Sequence, residues 1–140
     1  MLRQGIYIDK AGKKGKGVFT REPIPADTVI EISPVIVLNE KDRELVEKTK
    51  LFYYIFEWGE DVAQGVIGLG YVSMYNHTSP SNCEYEMDYK KETIAIKTMR
   101  DIEAGEELTI NYSAGWDDFE PVWFKEEKEK PPSPKGRKKK

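Results

Sequence analysis

The chain reads as a succession of short apolar stretches set off by glycine, proline and charge, which is the pattern of strands. Ile6-Tyr7-Ile8 is flanked by glycine and charge, and Gly17-Val18-Phe19-Thr20 follows a turn rich in lysine and glycine. Val29-Ile30-Glu31-Ile32 and Val35-Ile36-Val37-Leu38 are β-branched runs, which Ser33-Pro34 is expected to separate. Asn39 then stands as a cap before Glu40-Lys41-Asp42-Arg43-Glu44, and Leu45, Val46 and Thr49 are spaced for one face of a helix. Residues 52–58, aromatic and β-branched, predict a further strand. Residues 82–88, 92–97 and 108–112 continue the same grammar, with a turn at 101–105. Strands dominate and connections are of hairpin length, so the expected class is mostly β, a β-rich α+β fold rather than a βαβ one.

Length adds one constraint: 140 residues are read as a single folded domain over 1–124, long enough to bury a core. From Lys125 the composition turns to Lys, Glu and Pro, so 125–140 is expected to be a disordered basic tail. That tail carries eight Lys/Arg against three Asp/Glu, leaving fourteen against twenty-two in 1–124. An acidic body repels nucleic acid and attracts cationic partners, so any nucleic-acid attraction is weak and confined to the tail. No apolar run approaches the roughly 18 residues of a membrane span, and residues 1–5 lack the core of a signal peptide. The expected location is the cytoplasm, or the nucleus or nucleoid for a chromatin-like substrate. With one cysteine and one histidine, Cys83 and His77, neither a disulfide nor a structural zinc site is expected, and Cys83 reads as a packed strand residue.

Three segments carry candidate chemistry. Gly15-Lys16-Gly17 lacks the third glycine of a dinucleotide fingerprint, because Thr20 stands there and Pro23 and Pro25 forbid a following helix. It marks either a hairpin turn or a backbone bared for close approach. Asn76-His77 lies in a turn-rich stretch where a lone histidine commonly packs or caps, and no second histidine exists to build a metal or hydrolase site. Gly105-Glu106-Glu107-Leu108-Thr109-Ile110-Asn111-Tyr112 runs from a glycine turn into a strand and ends on a tyrosine beside polar groups. Glu106 and Glu107 themselves read as solvent-facing charges.

Taken in this order and spacing, over about residues 5–123, these segments resemble the SET-domain protein lysine methyltransferases, in particular small stand-alone bacterial and viral members without zinc-binding flanks. The resemblance implies several small curved sheets with one short helix and a threaded C-terminal segment. It implies transfer of methyl from S-adenosylmethionine to a lysine ε-amine of a basic protein, histone-like or ribosomal. Carried over to this chain, Gly15, Lys16, Gly17, Asn76, His77, Tyr112 and Trp116 would hold the cofactor. Asn82 falls on a second asparagine of the pattern, while Ser79 stands where many members have cysteine and the usual proline before that asparagine is displaced to Pro80. Tyr54, Leu69, Tyr71 and Ile110 would line the lysine site, after Gly68-Leu69-Gly70-Tyr71, and Tyr112 would be the catalytic tyrosine. The competing expectation is a non-catalytic SET-like module that binds a basic peptide, against which the intact Tyr112, Asn76 and His77 argue.

Overall fold

A computed structural model describes residues 1–112. Trp116, the expected threaded segment and the basic tail lie outside the described residues.

The first two expected strands, β1 (Ile6–Lys10) and β2 (Lys16–Thr20), form an antiparallel hairpin from Ile6 opposite Thr20 to Lys10 opposite Lys16. The strand expected to break at Ser33-Pro34 instead runs unbroken as β3 (Val29–Leu38). Residues 29–34 pair with residues 93–97 and residues 35–38 with residues 65–68, so the proline falls at the changeover between partners. A missing N–H costs a sheet least at such a place.

Asn39 caps α1 (Glu40–Val46) as expected, its side chain accepting the Asp42 N–H at 2.8 Å. The buried face is not the expected apolar one. Leu45 is exposed and Arg43 is the residue turned inward, donating to Glu57 at 2.8 Å, to Glu47 at 3.0 Å and to the carbonyls of Val62 and Gln64. A buried charge is tolerated only when so fully paired, and here the pairing clamps α1 to the strands beneath it. Residues 50–53 form a 3₁₀ turn capped by Thr49, so the expected strand over 52–58 shortens to β4 (Phe56–Trp58). Leu51, Tyr53 and Tyr54 are exposed, with no sheet neighbour to make them strand.

The order continues with β5 (Gln64–Gly68), a two-residue β6 (Asn76–His77), β7 (Cys83–Asp88), β8 (Thr93–Thr98) and β9 (Glu107–Ile110). Of these, β5 and β6 are not among the sequence expectations. The strands make a five-stranded sheet ordered β4-β5-β3-β8-β7 and a four-stranded sheet ordered β1-β2-β9-β6. Mostly strand with one α-helix among the described residues, the architecture is the expected one. Ile30, Ile94, Ile96, Phe56 and Tyr75 are fully buried in the core between the sheets. Each such side chain contributes roughly 1.5–3 kcal/mol of hydrophobic stabilisation. Cys83 packs there too, its thiol pushed up to about 12 by burial, which keeps it unreactive.

Candidate active site

One pairing makes the site. β6 lies parallel to β9, with Asn76 opposite Thr109 and His77 opposite Ile110. Two segments more than thirty residues apart in the chain thereby become neighbours, and β2 flanks β9 on its other side.

Tyr112 follows β9 directly and is held at several points. Its backbone N–H donates to His77 Nδ1 at 3.1 Å, which leaves the ring proton of that imidazole on Nε2. Its hydroxyl donates to the Tyr75 carbonyl at 3.0 Å, and its own carbonyl accepts from the Tyr85 hydroxyl at 3.4 Å. The rings of His77 and Tyr112 pack tilted, 5.1 Å apart. Burial, aided by the charge of Glu107 and by the Tyr54 phenol, pushes the Tyr112 hydroxyl far above its ordinary pKa, so it stays protonated. It is a hydrogen-bonding group here and not a phenolate base.

Asn76 looks the other way, toward the hairpin. Its Nδ2 donates to the Lys16 carbonyl at 2.9 Å and to Glu107 at 2.7 Å. Glu107 also meets the Lys14 ammonium at 3.4 Å. Gly17 leaves room for these groups, since a Cβ there would overlap the Glu107 carboxylate and stand 2.8 Å from Asn76 Nδ2, so both side-chain ends would have to shift. Gly15 makes the turn before it with φ of 83°.

The structure therefore gathers Gly15, Lys16, Gly17, Asn76, His77 and Tyr112 into one neighbourhood. Tyr54 is close enough to act on the Tyr112 phenol, and its carbonyl accepts from the Ser73 hydroxyl at 2.6 Å. Leu69 is exposed just after β5, Tyr71 packs against the core, and Ile110 is fully buried beneath the site.

Glu107 corrects the sequence reading, being turned into the site rather than toward solvent. Glu106 is the outward one, bridged to Arg100, which lowers its pKa. The alternation of a strand carries that signal, because residues facing the same way as Thr109 and Glu107 cannot also face with Glu106. Asn82 plays a part the motif alone does not reveal. Its side chain accepts the Thr109 N–H and donates to the Glu107 carbonyl, both at 2.8 Å, so it substitutes for a missing strand along β9.

Comparison with known proteins identifies the family and the fold. The model of the SET domain family matches residues 15–113. A fission-yeast (Schizosaccharomyces pombe) histone-lysine N-methyltransferase, H3 lysine-37 specific, is 36% identical over 128 residues, 91% of this chain and 82% of that protein. Among solved structures, a candidate histone methyltransferase of Plasmodium falciparum superposes with a TM-score of 0.63 at 26% identity. That match covers 82% of this chain and 98% of the other. A humanized mutant of the Chaetomium thermophilum Polycomb Repressive Complex 2, bound to the inhibitor GSK126, shares the fold at a TM-score of 0.69 and 22% identity, over 85% of this chain and 16% of that one.

Proposed function

The chain belongs to the SET-domain family and is a protein-lysine methyltransferase, and we propose that it takes its methyl group from S-adenosylmethionine and delivers it to a histone-type protein. The observation that carries this reading is the fixation of Tyr112 by the Asn76-His77 segment, through His77 Nδ1 at its amide and the Tyr75 carbonyl at its hydroxyl.

The donor set suits the cofactor. Its methionine end bears one ammonium and one carboxylate, and the site offers Glu107 and Lys14 side by side, the Asn76 amide and a backbone bared at Gly17. When bound, S-adenosylmethionine supplies the methyl and its sulfonium leaving group. What the protein must supply is a dry, shaped place for the amine. A lysine has an ordinary pKa of about 10.4 and arrives protonated. Desolvation between the Tyr54 and Tyr112 phenols favours its neutral, nucleophilic form. The protonated Tyr112 hydroxyl, its hydrogen committed to the Tyr75 carbonyl, turns oxygen lone pairs toward the remaining space and orients what enters.

A basic substrate follows from the acidic balance of residues 1–124, fourteen Lys/Arg against twenty-two Asp/Glu. The name of the yeast relative supports a histone.

The test is calorimetric titration of S-adenosylmethionine, followed by methylation of a histone-tail peptide. Asn76→Ala is expected to weaken cofactor affinity about tenfold, the value of one net hydrogen bond. Tyr112→Phe is expected to keep that affinity and lower turnover about 100-fold through lost alignment. Wild-type turnover in Tyr112→Phe would remove Tyr112 from the mechanism, and no binding by the wild-type protein would overturn the cofactor assignment.

A further inference from the structure

A buried carboxylate outside the motifs reaches the site through one intermediary. On β3, Val29 pairs with Lys97 and Glu31 with Ile96, so the strand holds one extra residue there. A bulge of this kind re-aims a side chain. Regular alternation would put Ile30 and Ile32 inward; instead Ile30 and Glu31 are both buried and Ile32 is exposed.

Glu31 Oε1 accepts the Tyr75 hydroxyl at 2.8 Å, and Oε2 accepts the Tyr71 N–H at 2.6 Å. The Val72 N–H adds to the same carboxylate. Gly70 is what lets the chain come this close, because a Cβ there would overlap Glu31 Oε2. Glu31 thus grips both ends of residues 71–75. The last of these, Tyr75, is fully buried and presents the carbonyl that receives the Tyr112 hydroxyl at 3.0 Å. The next two are Asn76 and His77. A carboxylate costs more to bury than a neutral group, and here each of its two oxygens accepts a donor, which offsets that cost and which no neutral isostere reproduces.

We propose that Glu31 is a positioning residue for methyl transfer, fixing the Tyr75 carbonyl and, through it, the direction of the Tyr112 hydroxyl. The inference rests on the reading of Tyr112 as the tyrosine of the reacting site. Glutamine at position 31 keeps the shape but replaces one acceptor by an NH₂. That group must face either the Tyr71 N–H, donor against donor, or the Tyr75 hydroxyl, which must then turn its proton away.

The experiment is a double-mutant cycle with Glu31→Gln, Tyr75→Phe and Tyr112→Phe, singly and combined, reading kcat, peptide KM, cofactor affinity and melting temperature. Glu31→Gln is expected to lower kcat about 10- to 100-fold. Peptide KM and cofactor affinity are expected to stay within about twofold, since the change acts on alignment and not on uniform binding. In the Tyr112→Phe background the same substitution is expected to change kcat no further, because both act through one hydroxyl. If Glu31→Gln does not fold, Tyr75→Phe carries the cycle, since it removes the phenol that Glu31 holds and should show the same non-additivity. Unchanged kcat in the folded variant, or losses that multiply with Tyr112→Phe, would overturn the role of Glu31 while leaving Tyr112 in place. Wild-type turnover in Tyr112→Phe alone would overturn the reading of the site, and this proposal with it.

Discussion

Replacing Asn82 with alanine tests whether a single amide holds β9 in place. Asn82 is buried, and its side chain satisfies two main-chain groups of that strand, the Thr109 N–H and the Glu107 carbonyl, each at 2.8 Å. Alanine leaves both without a partner. An unsatisfied buried backbone group costs about 1–3 kcal/mol. Thr109 is buried and sits in the upper part of that range; Glu107 is half-buried, so water can recover part of its loss. The expected cost is therefore about 2–4 kcal/mol, a large share of the 5–15 kcal/mol typical of a domain. With a urea slope of about 2 kcal/mol per molar, the middle of the usual range, the midpoint should fall by about 1–2 M. Tryptophan fluorescence reads the transition. Thr78→Ala is the control, because it removes a hydroxyl that bonds Thr109 Oγ1 at 2.7 Å from the same segment, and the one backbone group it also meets, the Pro80 carbonyl at 3.2 Å, belongs to an exposed residue that water can satisfy. It should cost about 1 kcal/mol. Equal midpoints for the two variants would refute the argument that Asn82 acts as a surrogate strand.

Two further outcomes follow from the same geometry. Gly17→Ala should require the Glu107 carboxylate and the Asn76 amide, both ends of flexible side chains, to move aside from their 2.7 Å contact, at little cost in stability. Cofactor affinity should fall with that movement, and calorimetry giving an affinity within about twofold of wild type would contradict this role of Gly17. The Glu31 carboxyl is raised above its ordinary 4.5, chiefly by burial, against the opposing hydrogen bonds from Tyr75, Tyr71 and Val72 and the charge of the Met1 amine. The folded state thus holds this proton more tightly than the unfolded one, so its stabilising effect is complete below pH 4.5 and disappears as pH rises through the folded value. Compared by urea unfolding, wild type should gain on Glu31→Gln as pH falls from 7 toward 4.5; a gap that stays constant or moves the other way would contradict the assignment.

Several features could be read without a structure because they are local. The Asn39 cap depends on a side chain reaching an amide three residues on, and it formed as expected. The β-branched composition of residues 29–38 and the alternation at 92–97 gave strands in nearly those places, and the class of fold with them. Other features were misread where a distant partner decided. Pro34 did not end its strand, because the sheet changes partner there. The helix buried Arg43 and left Leu45 in solvent, since Glu57, Val62 and Gln64, far along the chain, supply the pairing that a lone arginine lacks.

The candidate site divides the same way. The resemblance of their motifs to the SET family singled out Gly17, Asn76, His77 and Tyr112, whereas the residues read alone left a turn, a cap or a packing group open at each. What those residues do for one another was decided by the parallel pairing of β6 with β9. No local preference encodes a two-residue strand, and only the assembled sheets supply its partner. The same assembly turned Glu107 inward, made Asn82 a rung of β9 and, by a bulge in β3, brought Glu31 beneath Tyr75. Short-range propensity is a property of neighbours in sequence, whereas the direction of a buried polar group is fixed by whichever distant donor or acceptor the packed chain brings to it.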